Sequence, residues 1–136
     1  MARVSGFLVC ENIEPIIPSE QNQNIKTRLI GPLSGALLKY IPTLYSMSVV
    51  VCLDDLTEPG NNFFGIKFKL EDEIVFDTDL INIDQITQGD RPANGMVITL
   101  DMNNLEIKSP GDYVFEAYDN IGVIDSFIFT VRKEEN

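Results

Sequence analysis

The segment Phe63 to Leu70, FFGIKFKL, sets Phe64, Ile66, Phe68 and Leu70 on one side of an extended chain and Gly65, Lys67 and Lys69 on the other. That two-residue period belongs to a strand with one buried face and does not fit the 3.6-residue period of a helix. The same alternation returns in the last third of the chain, SPGDYVFEAYDNIGVIDSFIFTV. Pro110 and Gly111 make a turn there, Tyr113, Phe115 and Ala117 point one way, Asp119 to Gly122 turn again, and Phe127, Phe129 and Val131 alternate on the return. A chain so patterned must pair its strands into sheets and bury one face of each.

Other runs fit the same scheme. Strands are expected near residues 5 to 12, 25 to 30, 44 to 53, 74 to 78 and 96 to 102, about eight in all, bounded by clusters of Pro, Gly, Asn and Asp. The run LYSMSVVVCL is apolar on both faces at its end, as a central strand should be. Residues 33 to 41, between Pro32 and Pro42, read as a loop or a short helix, because Leu33, Leu37 and Tyr40 have helical spacing. Leu80, Ile81 and Ile83 hide an extra strand or none in a long polar connection, 79 to 95.

With 136 residues and 44% hydrophobic side chains, the chain has the size and composition of one globular domain with one core. The expected architecture is all-β: a single antiparallel β-sandwich spanning 1 to 136. Its shared core is expected to hold Val49, Val51, Phe64, Ile66, Phe68, Ile98, Leu100, Tyr113, Phe115, Phe127 and Phe129.

Ten Lys and Arg stand against 21 Asp and Glu, a net charge of −11. Phosphate backbones and anionic lipid surfaces would be repelled at long range, so neither nucleic acid nor membrane is an expected partner. No apolar run approaches the roughly 18 residues that cross a bilayer. The opening MARVSGFLVCENIE lacks the long apolar stretch of a signal peptide, which makes the cytoplasm the expected compartment and reduced thiols the expected state of Cys10 and Cys52.

The run Asn104, Leu105, then Ser109, Pro110, Gly111, Asp112, Tyr113, Val114, Phe115 resembles the approach to the final hairpin of immunoglobulin-like sandwiches. In those folds a tyrosine near the strand start bonds back to upstream backbone. From FLVCENI through LIGP and IPTLYSMSV to the final hairpin, the chain is similar to a family of small uncharacterised bacterial proteins. The resemblance implies an immunoglobulin-like sandwich of bacterial or mobile-element origin, and it brings no catalytic residues with it.

Chemistry is constrained chiefly by the complete lack of histidine. Serine and cysteine triads built on imidazole are excluded, and so is every His-containing metal site. Two cysteines cannot build a structural zinc site, and no phosphate-binding glycine loop is present. Carboxylates remain, and pairs such as Asp77 with Asp79 or Asp119 with Asp125 are the candidates for a carboxylate-based hydrolase. Calcium is the other alternative, since it takes oxygen ligands from loops and needs no histidine. Clusters at Asp54, Asp55 and Glu58, at Asp79, Asp84 and Asp90, and at Asp119 are the candidate ligands.

The leading expectation is a non-enzymatic binding or interaction module that recognises a protein or a small ligand and needs no cofactor. If successive strands alternate in direction, residues 13 to 24, 54 to 62, 79 to 95 and 119 to 122 gather at one acidic end, where Asp54, Asp55, Glu58, Asp84, Asp90 and Asp119 would meet the ligand. The short strand Ile74 to Thr78 is the expected sheet edge, through which a homodimer could form.

Overall fold

A computed structural model describes residues 3–16, 26–54, 63–83 and 96–135. Ten strands run through them: β1 (Arg3–Ile16), β2 (Lys26–Leu33), β3 (Gly35–Leu38), β4 (Thr43–Asp54), β5 (Phe63–Leu70), β6 (Glu73–Asp77), β7 (Ile81–Asn82), β8 (Met96–Ile107), β9 (Gly111–Tyr118) and β10 (Val123–Lys133). They form two sheets, one in the order β2-β1-β4-β8 and the other in the order β3-β10-β9-β5-β6, with β7 also on β5. The chain is therefore an all-β sandwich. Every pairing is antiparallel except that of β3 with β10. Among the described residues no helix is long and apolar enough to cross a membrane.

The alternating runs become the inner faces. Phe64, Ile66 and Phe68 of β5, Tyr113, Phe115 and Ala117 of β9, and Phe129 and Val131 of β10 are buried opposite Val9 of β1 and Met47, Val49, Val51 and Leu53 of β4. Phe7 bridges the two layers, its ring 4.7 Å from Phe127 and 6.2 Å from Phe115, while Phe68 lies 4.4 Å from Phe115 and 5.0 Å from Tyr113. Such aromatic pairs add to the stability already gained from the apolar area they bury. β4 is central in its sheet, and its residues Met47 to Val51 are buried on both faces.

Three expected core residues, Ile98, Leu100 and Phe127, pack against the core but stay half-buried. For the first two the reason is position, because β8 ends its sheet and lacks a neighbour on one side among the described residues. Farther along β8 the phase changes: Met102 faces inward, and so do Leu105 and Ile107. A bulge accommodates the extra residue, with Met102 opposite Met47 and Leu105 opposite Tyr45. Asn104 takes a left-handed φ of 57° there and donates its backbone N–H to Ser46 Oγ at 3.0 Å. Asparagine tolerates that conformation better than most residues.

Residues 33 to 41 depart from the expected loop or short helix, for Gly35 to Leu38 form β3. Ala36 and Leu38 pack on the core and Leu37 points to solvent, a strand period too short to register in the sequence. At Gly35 a side chain would collide with the Thr130 carbonyl, so glycine is what lets the two backbones pair. The short strand suspected near Leu80 also exists. β7 lies on the same edge of β5 as β6 and in the same direction, so the two are one edge strand interrupted at Thr78 to Leu80.

Candidate functional site

Strand registers determine which ends lie together. One end holds Arg3, Asp54 and Met96 of the four-stranded sheet with Phe63, Asn82, Tyr118 and Val123 of the other. The opposite end holds Thr43 and Ile107 with Leu70, Glu73, Gly111 and Val131. A Lys108–Glu73 ion pair at 3.2 Å ties the sheets there.

β4 and β9 end and β8 begins at the first end, as strand counting predicts, because β7 continues β6 instead of reversing it. The connection after β1 leaves from the opposite end, which corrects the expected grouping. β4 runs parallel to β2, since each is antiparallel to β1, and the additional strand β3 reverses the path between them. Glu14, opposite Arg28 in the β1–β2 register, therefore does not join the acidic end, and Glu20 lies outside the described residues.

Of the predicted ligand-binding residues, Asp55, Glu58, Asp84 and Asp90 lie outside the described residues. Asp54 stands opposite Arg3 in the β1–β4 register and takes its guanidinium in two hydrogen bonds, Nε to Oδ1 at 2.9 Å and Nη2 to Oδ2 at 2.8 Å. That bidentate bond holds the Asp54 carboxyl below the usual carboxylate range. Asp119 is buried, and its Oδ1 accepts the backbone N–H of Ile121 at 2.8 Å and of Gly122 at 3.0 Å, while its own N–H donates to the Gly122 carbonyl at 2.9 Å. It serves as the cap of the β9–β10 turn. Among the described residues no three His, Cys, Asp or Glu side chains converge to hold a metal ion.

The two suspected carboxylate pairs also have local work. Asp77 Oδ1 accepts the Tyr118 hydroxyl and the Asp79 backbone N–H, the latter at 2.9 Å. Asp79 is exposed and carries a left-handed φ of 59° at the break between β6 and β7. Thr78 Oγ1 accepts the Ile66 N–H at 2.9 Å and donates to the Asp79 carbonyl, which satisfies backbone groups that the break would otherwise strand. Desolvation, then the bond to Asp77, pushes the Tyr118 hydroxyl well above the ordinary tyrosine range. Its ring lies over Gly65, where a side chain would clash with it, and Lys67 Nζ sits 4.7 Å from the ring centre. Asp125 Oδ1 accepts the next backbone N–H, of Ser126. Both pairs are engaged in shaping strands and turns.

A different surface comes together on the outer face of the larger sheet. Ile74, Lys69, Val114 and Ile128 are directly opposed across β6, β5, β9 and β10. Ile128 is 61% exposed and Ile74 53%; Leu37, at 63%, is exposed on β3 opposite Arg132. The adjacent row is polar: Asp77, Lys67, Glu116 and Ser126. Lys69 Nζ and Glu116 Oε1 pair at 3.0 Å between the two rows. Sequence reading missed this surface because an outward residue looks alike on every strand, and only the register shows which of them align.

The thiols are unlinked: Cys10 is buried and Cys52 half-buried. Burial pushes the Cys10 thiol up, which keeps it from the reactive thiolate form. In comparisons with known proteins, no family model, no curated protein and no solved structure matches the chain.

Proposed function

We propose that this chain is a non-enzymatic interaction module of immunoglobulin-like type, acting in a bacterial cytoplasm and needing no cofactor. The fold part of the reading is supported by the order β6-β5-β9-β10 with β3 laid parallel on the last strand, and by Tyr113. Its buried hydroxyl donates to the Ser109 carbonyl at 2.7 Å, the bond of a tyrosine corner.

The observation that carries the interaction reading is the aligned row Ile74, Lys69, Val114 and Ile128, aliphatic apart from the lysine, on a sheet face braced by the core beneath it. Isolated exposed aliphatic residues are ordinary, whereas aligned ones beside paired charges form a patch suited to a protein surface. The partner would present apolar side chains edged by groups that meet Lys69 and Glu116. Asp54 and Asp119 are already bonded, so an acidic-end reading would rest on Asp55, Glu58, Asp84 and Asp90.

Comparative capture from a bacterial lysate tests the choice, with wild type, an Ile74→Lys/Ile128→Lys variant, and a variant with Asn or Gln at those four acidic positions. A species held by wild type and by the acidic-loop variant but lost by the double-lysine variant supports the sheet face. Loss only on the acidic-loop variant would move the site to the acidic end. No species retained specifically by wild type would overturn the interaction reading.

A further inference from the structure

We infer that the first half of β8 is a self-complementary edge through which two copies of the chain pair, joining their four-stranded sheets. The inference is independent of the outer-face reading above, since it uses the other sheet.

Among the described residues four strands end their sheets, and three of these carry devices that discourage strand addition. β2 is interrupted by Gly31, with a φ of 63°, and by Pro32. β3 has only 4 residues. β6 is short, begins at Glu73 and ends at Asp77, and is broken before β7. β8 differs. From Met96 to Met102 it pairs with β4 without interruption, and the sequence MVITLDM contains no proline, glycine, lysine or arginine. The bulge and its left-handed Asn104 come only afterwards.

Two further observations point to a second strand. Ile98 and Leu100 face the core yet remain half-buried, whereas Val51 and Val49, opposite them on β4, are fully buried. Val97, on the outer face, is 52% exposed. A neighbour along β8 would complete the burial of the first two and cover part of the third.

The sequence specifies which neighbour fits. Antiparallel pairing of β8 with its own copy about a two-fold axis through Thr99 sets Ile98 opposite Leu100, Val97 opposite Asp101 and Met96 opposite Met102, with side chains kept on their own faces. No like charges oppose one another in this register, whereas an axis through Asp101 would set two carboxylates face to face. Asp101 also accepts the Ser48 hydroxyl of its own β4 at Oδ1, 2.6 Å away. Each copy carries −11, so the dimer should strengthen as salt screens the long-range repulsion.

Sedimentation velocity over a concentration series, at low and high salt, tests the pairing with two variants of equal charge, Thr99→Lys and Val97→Lys. Thr99→Lys opposes two ammonium groups on the axis and should weaken the dimer by about tenfold or more. Val97→Lys places an ammonium opposite the other copy's Asp101 and should tighten it by about two- to fivefold. Both positions are exposed, and circular dichroism melts confirm that each variant folds. A protein monomeric throughout, or variants that shift association in the same direction, would overturn the inference.

Discussion

At the scale of residues, Asp119 shows how an acidic side chain in a loop can belong to the fold. Its carboxylate caps two backbone N–H groups, and asparagine in its place would keep an acceptor for them. Asp119→Asn should therefore leave stability nearly unchanged, while Asp119→Ala should cost about 1–2 kcal/mol in urea unfolding. Equal losses for both variants would point to the charge instead of the cap. Tyr118 adds a pH signature. Its folded pKa is raised by desolvation and by Asp77, so the neutral phenol is favoured in the fold. The contribution is fully present below the unfolded value, about 10, and is lost as pH rises beyond it. Melting temperatures between mildly and strongly alkaline pH should fall less steeply for Tyr118→Phe. Some slope should remain, because Tyr45 is also raised, by burial first and then by the Glu11 charge. The thiols give a third test: a thiol reagent should titrate two sites without reductant once the chain is denatured, and the Cys10 site only slowly in the native protein.

Elements reveal a different kind of constraint. β3 exists because Gly35 lets the Thr130 carbonyl come close, and a methyl group there would meet backbone that cannot rotate away. Gly35→Ala should cost about 1–3 kcal/mol and remove hydrogen-exchange protection from the β3–β10 pairing before that of β4. Protection lost evenly across the molecule would argue against so local a role. The expected eight strands were mostly legible because FFGIKFKL and the terminal hairpin repeat every two residues over a full strand. β3 was not, since 4 residues with a helical Leu33, Leu37, Tyr40 spacing give no decisive period. The β8 bulge escaped for a related reason: Asn103 and Asn104 shift the phase only when opposed to Ser46.

For the whole molecule, electrostatics is the property most open to measurement. With Asp54 bonded to Arg3 and Asp119 committed to its turn, calcium is expected to leave the melting temperature where chelator leaves it. A specific site filled at 100 times its dissociation constant would add about 2.7 kcal/mol and raise it plainly. Such a rise would revive the calcium alternative and place its ligands among Asp55, Glu58, Asp84 and Asp90.

Local sequence was enough to determine the all-β class, the central place of β4, the terminal hairpin and the buried phenylalanines, because each follows from alternation along a single strand. Which carboxylates are free was decided elsewhere. Arg3 and Asp54 are distant in sequence, as are Tyr118 and Asp77, and only pairing of β1 with β4 and the stacking of β9 and β5 beside β6 brings them together. The direction of β4 was likewise set by an additional strand that reverses the path. Sequence periodicity reports which face of a strand is buried; register and strand order, which depend on contacts between distant segments, decide what lines up across it.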